Sequence, residues 1–243
     1  MTDAGLDAPP GGPRLDNPLC VALDVAGPEQ VRALAGSLEG VAGCLKVGLT
    51  AFTGSGPGIV RELAAARPVF LDLKLHDIPV QVQGAVAAAR SLGAAFLTVH
   101  VSGGPEMLKA AAEAAGEDMI LLGVTVLTSL GAADLERIGL TGTPQEAVLR
   151  LAEVALAAGV PGLVCAPHEV GEVRREFGAR SQGGPWVVVP GVRPAGAAAD
   201  DQRRTAGPRE ALEAGADMIV VGRPITSASD PAQAARTVLQ EIL

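Results

Sequence analysis

Short runs of apolar residues recur along the sequence, and each run is nearly continuous instead of alternating with polar residues. Eight such runs stand out, at 19–25, 44–49, 68–74, 95–100, 119–127, 162–166, 186–192 and 218–224. Near-continuous apolar runs of this length are typical of strands that are buried on both faces of a parallel sheet. The pattern therefore predicts eight buried parallel strands.

Alanine-rich, amphipathic stretches lie between these runs. Those at 28–39, 79–92 and 144–158 begin with proline, and glycine often follows the end of such a stretch, as at Gly93 and Gly159. Proline is favoured in the first turn of a helix and glycine just beyond the last, so these stretches are predicted helices. Eight strands that alternate with helices favour one fold class, a single-domain (β/α)8 TIM barrel over residues 19–243.

A doubly wound open sheet is the alternative arrangement of strands and helices. It would need a glycine-rich, dinucleotide-binding turn after the first strand, whereas Ala-Gly-Pro-Glu follows Val25. The glycine-rich piece at 54–58 lacks the Gly-Lys-Ser/Thr ending of a phosphate loop, and we expect an ordinary turn there.

The amino-acid composition argues against nucleic acid and membranes as binding partners. The 243 residues carry a net charge of −8 and only 2% aromatic residues, with 48% hydrophobic residues overall. A negative chain with few rings for stacking on bases is a poor partner for nucleic acid, so an anionic ligand would need a local group of arginines or lysines. No apolar run approaches the length of a membrane span, and we expect no membrane partner.

The first 18 residues are rich in proline, glycine and aspartate and lack the features of a signal peptide. We expect a flexible tail at 1–18 that precedes the barrel. The three cysteines lie in apolar runs without CxxC spacing, which predicts buried thiols and a cytoplasmic protein.

Charged residues interrupt the apolar runs near their ends. Asp24 ends the first run, Lys46 lies in the second, Asp72 and Lys74 lie in the third, and Asp77 follows it. Two residues at positions i and i+2 of a strand point to the same face, so Asp72 and Lys74 should meet. The barrel would bring Lys46 and Asp24 alongside, in an alternating series of charges with Asp77 as a fifth member.

This series has two interpretations. It could be a structural ion-pair network that fills the barrel, or it could serve chemistry at the carboxyl ends of the strands, where barrel enzymes hold their active sites. Buried charge networks stabilise a fold poorly compared with apolar packing. Catalysis is therefore the better explanation.

A second polar group follows the seventh and eighth runs, the part of such barrels that usually holds phosphate. Arg193 ends the seventh run, Gln202 lies in the next loop, and Gly222 and Arg223 end the eighth. Gly222 would let backbone N–H groups approach an anion, Arg223 would grip phosphate oxygens, and Gln202 would donate from a closing lid. The alternative for 193–209 is a solvated surface loop.

The histidines do not suggest a metal site. His76 and His100 have no apparent third ligand, and we interpret them as structural or supporting residues. His168 is expected at the surface where a helix begins.

Taken together, these motifs resemble the orotidine 5′-monophosphate decarboxylase family from about residue 19 to 229. The similar stretches are ALDV at 22–25, LKVGL at 45–49, DLKLHDIP at 72–79, HVSGG at 100–104, VTVLTS at 124–129, PGVRP with DQRR within 190–204, and VGRPIT at 221–226. The Asp-x-Lys-x-x-Asp pattern also occurs in related barrels that act on sugar phosphates. The PGVRP, DQRR and GRP set is characteristic of the orotidylate enzymes.

The resemblance implies cofactor-free conversion of orotidine 5′-monophosphate to uridine 5′-monophosphate. It implies that Lys74 donates the proton to C6 of the pyrimidine and that Asp72 and Asp77 lie beside the substrate carboxylate. It also implies a homodimer with a shared active site, in which Asp77 and Ile78 reach into the site of the partner subunit.

The remaining implied contacts concern the rest of the nucleotide. Lys46 and Asp24 would complete the series of charges and bind the ribose hydroxyls, and Thr128 would lie near the pyrimidine. The phosphate would be held by Arg193, Gln202, Gly222 and Arg223. One position departs from the family pattern, since Gln81 stands where threonine is usual.

Two alternatives remain open, and a third is disfavoured. A sugar-phosphate enzyme of the related group would use Mg²⁺ near the acid of the third strand. A non-catalytic barrel would bind a nucleotide as a sensor. Schiff-base chemistry at Lys74 is disfavoured, because flanking carboxylates keep a lysine charged.

Overall fold

The computed structural model of the protein describes residues 13–194 and 206–242. Eight parallel strands close into a barrel in which each strand pairs with the next and the last pairs with the first. They are β1 (Leu19–Ala22), β2 (Cys44–Gly48), β3 (Val69–Leu75), β4 (Phe96–His100), β5 (Ile120–Val124), β6 (Gly162–Val164), β7 (Trp186–Val189) and β8 (Met218–Val221). The predicted (β/α)8 barrel is confirmed, and each predicted strand is present, most of them shorter than the apolar run.

Helices cover the outside of the barrel. They are α1 (Pro28–Ser37), α2 (Leu49–Ser55), α3 (Gly58–Ala64), α4 (Pro79–Ser91), α5 (Pro105–Ala115), α6 (Ala132–Arg137), α7 (Pro144–Ala157), α8 (Val170–Phe177), α9 (Pro208–Glu213), α10 (Arg223–Thr226) and α11 (Pro231–Ile242). Short 3₁₀ turns lie at Val101–Gly103, Pro167–Glu169 and Arg180–Gln182. The three proline-led helices are confirmed. The turn expected at 54–58 is narrower, because α2 continues to Ser55 and α3 begins at Gly58.

Side chains alternate across each strand, so the protein has two apolar layers. The larger layer lies between strands and helices; its buried residues are mostly aliphatic, and Phe52 and Phe177 pack partly buried against it. The smaller layer fills the barrel interior and holds three aromatic rings, with Phe96 packed edge-on against both Phe70 and Trp186. Cys20 and Cys44 lie in this inner layer, and all three cysteines are buried free thiols, as expected.

The inner layer also fixes where polar side chains enter. Two residues beyond Cys44, Phe70 and Phe96, toward the carboxyl ends of β2, β3 and β4, the inward positions hold Lys46, Asp72 and Thr98, and all three are buried. The apolar filling thus gives way to a polar layer one step nearer the mouth of the barrel. This change from apolar to polar inward residues places the charged side chains at the mouth of the barrel.

The amino-terminal end of the barrel is covered by the segment before β1. Leu15 is buried against the inner layer. The Asn17 side chain donates to the carbonyl of Val41 at 2.9 Å and accepts from the N–H groups of Leu19 and Gly43. Residues 15–18 therefore pack on the barrel, ahead of the boundary expected at residue 19. Residues 1–12 of the expected flexible tail lie outside the described residues.

In the part of the chain that the structure describes, no helix has both the length and the apolar character needed to cross a membrane.

Candidate active site

Four charged side chains meet at the mouth of the barrel, and we call them the ionic cluster: Asp24, Lys46, Asp72 and Lys74. The Lys46 Nζ lies 3.1 Å from Asp24 Oδ1 and 3.4 Å from Asp72 Oδ2. The Lys74 Nζ lies 2.8 Å from Asp72 Oδ1. Asp72 is therefore held between two ammonium groups, one on its own strand and one on β2.

The charges of the ionic cluster sustain one another despite burial. Burial alone would lower the pKa of Lys46, but the carboxylates of Asp72 and Asp24 outweigh it, and the pKa lies above the usual lysine value. Burial would likewise raise the pKa of Asp72. The ammonium groups of Lys46 and Lys74 reverse this and hold that pKa below its usual value. Both groups are thus charged at neutral pH.

A bulge in β3 delivers Lys74 to the cluster. Leu71 pairs with Leu97 and Leu75 pairs with Val99, so three residues of β3 stand opposite Thr98 alone. Within this bulge Lys74 has a φ of +52°, a left-handed conformation that residues other than glycine rarely adopt. The two inward positions Asp72 and Lys74 keep the same face while the strand bends between them.

Two residues that the sequence did not single out belong to this geometry. Thr98 hydrogen-bonds both to Lys74 and to Asp72. Gly48 provides space, because a Cβ atom there would lie 2.7 Å from Asp24 Oδ1 and 2.8 Å from Lys46 Nζ. The φ of Gly48 is −92°, so the backbone conformation does not require glycine, and a side chain there would act by displacing the charged ends of Asp24 and Lys46. The only available signals were a threonine inside an apolar run and the glycine of LKVGL.

Asp77 does not join the ionic cluster, contrary to its expected place as a fifth member. It is exposed, and its carboxylate accepts a hydrogen bond from the N–H of Ile78 at 2.7 Å. Ile78 and Val80 are also strongly exposed, at 61% and 63%. Gln81 is exposed in the first turn of α4, with its N–H bonded to the carbonyl of Ile78. This segment presents both apolar and polar side chains to the surface.

A cavity of about 160 Å³ opens beside the ionic cluster. Its polar lining comes from Lys46, Asp72, Lys74 and Thr128. The rest is apolar: Phe70, Val124, Val126, Leu127, Val164, Cys165, Val188, Pro190 and Val220. The predicted residue Thr128 therefore lines the same space as Lys74.

A second cavity of about 390 Å³ adjoins the first, since Pro190 and Val220 line both. It is lined by Asp24, Arg193, Gly222 and Arg223, with Thr226 and Ser227 beside them. The structure thus brings together three of the four residues expected to hold a phosphate. The fourth, Gln202, lies outside the described residues.

The segment after β7 that carries Arg193 is hydrogen-bonded to Ala206, just before α9. The N–H of Arg193 donates to the carbonyl of Ala206 at 2.9 Å, and Val192 forms a parallel bridge with Ala206. Gly222 precedes α10, and a Cβ there would meet the Cβ of Ala22 at an ordinary 3.6 Å. Packing against the residues that the structure describes therefore does not require glycine at position 222.

Two of the three histidines, His76 and His100, form a pair beside the ionic cluster. The rings of His76 and His100 lie 5.6 Å apart, and burial, followed by the charges of His76 and Lys74, lowers the pKa of His100. Within residues 13–194 and 206–242, no group of three or more side chains could hold a metal ion. His168 is exposed in the 3₁₀ turn after β6, as expected.

These features define a class: a (β/α)8-barrel protein with a lysine–aspartate cluster at the carboxyl end of the strands and an arginine-lined cavity next to it. Comparison with known proteins narrows the class. The chain belongs to the family described as orotidine 5′-phosphate decarboxylase / HUMPS, whose model matches residues 17–238.

Individual relatives agree with this assignment. The orotidine 5′-phosphate decarboxylase of Anaeromyxobacter sp. (strain K) is 54% identical over 221 residues, which are 90% of this chain and 96% of that protein. The protein of the same name from Halorhodospira halophila is 52% identical and covers 96% of this chain and 97% of its own. The crystal structure of orotidine 5′-phosphate decarboxylase from Lactobacillus acidophilus superposes with a TM-score of 0.80 at 35% identity, covering 93% of this chain and 99% of that one.

Proposed function

We propose that this protein is an orotidine 5′-monophosphate decarboxylase, which releases CO2 from its substrate to give uridine 5′-monophosphate, the last step of de novo pyrimidine biosynthesis. The relatives at 54% and 52% identity bear the name of this activity. The observation that carries the proposal is the Lys74 ammonium, paired with Asp72 at 2.8 Å in the wall of a cavity beside an arginine-lined one. The two cavities together fall in the range of roughly 300–1,000 Å³ typical of ligand sites.

The central role falls to Lys74. Loss of CO2 leaves an electron pair and negative charge at C6 of the pyrimidine ring. A fixed ammonium group beside C6 stabilises that charge and then transfers its proton there, which yields the product. A preorganised group of this kind contributes about 3–4 kcal/mol on its own. Other interactions must therefore supply the remainder of the rate acceleration.

Asp72 has two roles in this proposal. Its carboxylate keeps Lys74 charged and aimed, which the 2.8 Å contact supports. It also stands where the substrate carboxylate would approach, so repulsion between the two negative groups would be relieved as CO2 departs. Lys46 balances the charge of Asp72 from the other side, at 3.4 Å.

The other residues of the site would bind the ribose, the base and the phosphate of the nucleotide. Asp24 and Lys46, at the border of the two cavities, would accept and donate hydrogen bonds to the ribose hydroxyls, and Thr128 would contact the pyrimidine. Arg193 and Arg223, with the backbone at Gly222, would hold the phosphate, and Gln202 would close over it. Binding energy from the phosphate end, remote from the reacting carbon, can orient the ring and favour the transition state.

A homodimer with shared active sites is part of the proposal. Asp77 and Ile78 would enter the site of the partner subunit, with Asp77 beside the substrate carboxylate. The exposure of Ile78 and Val80 supports this, since a surface segment with two large apolar side chains is typical of an interface. Gln81 lies on the same segment and would reach the substrate from the partner.

No cofactor is needed for this reaction, because the ring and the Lys74 ammonium take up the charge. We propose a cytoplasmic setting, consistent with three cysteines buried as free thiols.

One assay tests the proposal. Purified protein in excess chelator is mixed with orotidine 5′-monophosphate, and the fall in its absorbance is followed. We expect turnover by the wild-type protein and its loss in Lys74→Ala with the fold retained. Near-wild-type activity of that variant would contradict the proposal. Full activity in excess chelator would count against the Mg²⁺-dependent sugar-phosphate group, and tight binding of uridylate without turnover would favour a sensor.

A further inference from the structure

Thr98 connects two members of the ionic cluster through a single side chain. It lies in β4, is fully buried, and occupies the inward position two residues after Phe96. Its Oγ1 lies 2.9 Å from the backbone nitrogen of Lys74 and 3.0 Å from Asp72 Oδ1. No other residue in the described ranges hydrogen-bonds through one side-chain atom to both a backbone and a carboxylate of the ionic cluster.

The direction of each hydrogen bond is fixed by chemistry. A backbone N–H can only donate, so the hydroxyl oxygen of Thr98 accepts from Lys74. The carboxylate of Asp72 can only accept, so the single hydroxyl proton of Thr98 goes to Asp72. The same Oδ1 atom of Asp72 also accepts from Lys74 Nζ at 2.8 Å. Thr98, Asp72 and Lys74 therefore form a closed ring of three hydrogen bonds.

The ring lies at the one place where the barrel departs from regular pairing with β4. The bulge sets three residues of β3 opposite Thr98, and Lys74 takes a positive φ that its Cβ disfavours. A strained conformation persists only when its surroundings hold it. The hydroxyl of Thr98 takes the place of a strand carbonyl as the partner of the Lys74 N–H, which a side chain without an oxygen could not do.

We propose that Thr98 is a positioning residue for the decarboxylation: it fixes the backbone of Lys74 and the carboxylate of Asp72 together, so that the ammonium group stays aimed at the substrate carbon. Thr98 does not line the cavity beside Lys74 and acts through its two partners. This inference rests on the proposed function, because the aim of the ammonium matters only if Lys74 serves the reaction.

A purely structural threonine would give a different result from a positioning one. It would satisfy a buried N–H, and its loss would lower stability without changing the kinetics of the folded enzyme. Thr125 offers a matched control of that kind. It is also buried, and its hydroxyl donates to the carbonyl of Val164 at 2.8 Å, away from the ionic cluster.

The experiment compares Thr98→Val, Thr98→Ser and Thr125→Val with the wild type. Valine keeps the shape of threonine and removes the hydroxyl, whereas serine keeps the hydroxyl. For T98V we expect kcat to fall by about 10- to 100-fold, the loss typical of a hydrogen bond to a charged group, with KM nearly unchanged. T98S should retain most of the wild-type kcat. T125V should lower Tm and leave kcat as it is.

The dependence of kcat/KM on pH is a second measurement, and a loss of packing at Thr98 would not change it. Without the Thr98 donor, Asp72 holds its charge less well, so the acid limb of kcat/KM should move to higher pH in T98V and return in T98S. A T98V enzyme with the wild-type kcat and acid limb would overturn the inference, and so would a T98S enzyme as impaired as T98V.

Three further outcomes are separable. If T98V does not fold, Thr98→Ala replaces it, and an alanine variant as active as T98S overturns the inference. If the wild-type enzyme itself does not turn over orotidine 5′-monophosphate, the proposed function fails. If the wild type is active and T98V equals it, only the role of Thr98 fails.

Discussion

Lys46 and Asp72 form an ion pair at 3.4 Å between neighbouring strands, with only 10% and 12% of their side chains exposed. Each of the two charges depends on the other, because water reaches neither well. Loss of one partner therefore leaves a buried charge with less compensation, which costs more than the pair contributes.

Lys46→Met should accordingly destabilise the protein by about 3 kcal/mol, near the lower end of what breaking a buried pair costs, since Lys74 still faces Asp72. Urea unfolding followed by circular dichroism at neutral pH measures the change. Lys109→Met is the matched control, because Lys109 and Glu106 form an exposed pair on α5 whose loss should cost less than about 1 kcal/mol. Equal stability of the two variants would contradict the prediction.

The shared-site dimer predicts complementation between inactive variants. Lys74→Ala and Asp77→Ala should each be nearly inactive alone. When the two are unfolded and refolded together, each mixed dimer contains one site with both residues intact. Random pairing should therefore restore about a quarter of the wild-type activity per subunit.

The control for complementation is a mixture of Lys74→Ala with Asp72→Ala. Both residues belong to the same subunit's ionic cluster, so a mixed dimer of these two holds no intact site. Recovery of activity in this control, or none in the first mixture, would argue against a contribution of Asp77 to the partner's site.

Arg223→Ala should raise KM for orotidine 5′-monophosphate by about 10- to 100-fold, because a charge-assisted contact to phosphate is lost. Steady-state kinetics measure the change. The phosphate-free nucleoside orotidine should react equally slowly with wild type and variant, since it lacks the group that Arg223 holds. Arg236→Ala on the exposed face of α11 is the control. An unchanged KM for the nucleotide would remove Arg223 from the phosphate site.

The lowered pKa of Asp72 predicts how stability depends on pH. A carboxyl group whose pKa is lower in the folded than in the unfolded protein stabilises the fold above its unfolded pKa of about 3.9. That contribution is lost as pH falls from there through the folded pKa. The stability advantage of wild type over Asp72→Asn should therefore be constant near neutral pH and shrink below about pH 4. Urea midpoints from pH 3 to pH 7 measure it, and an advantage that grows in acid would contradict the assignment.

The barrel could be predicted from sequence because its strands are buried on both faces. An apolar run such as 119–127 shows this directly, yet the paired strand ends at Val124. Beyond that point the Thr125 hydroxyl bonds to Val164, and the chain leaves the sheet. Strand pairing, which the apolar pattern does not encode, sets the end.

Most of the ionic cluster was also predictable, since the i, i+2 spacing of Asp72 and Lys74 assigns both to one face. The bulge was not, because it depends on how many residues of β4 stand opposite β3. Thr98 escaped notice for the same reason: a threonine in an apolar run is an ordinary strand residue until its partner is known. Asp77 was placed wrongly in the cluster, because the chain turns outward after the bulge.

The glycine at position 48 has no reactive atom, and yet Asp24 and Lys46 occupy the volume that any larger residue would need. A saturation-mutagenesis screen of this enzyme should therefore rank position 48 among its most intolerant sites, beside the ionisable groups themselves. Substitutions at position 48 would be selected against because any added side chain displaces Asp24 and Lys46, so the missing side chain matters as much as the charges it makes room for.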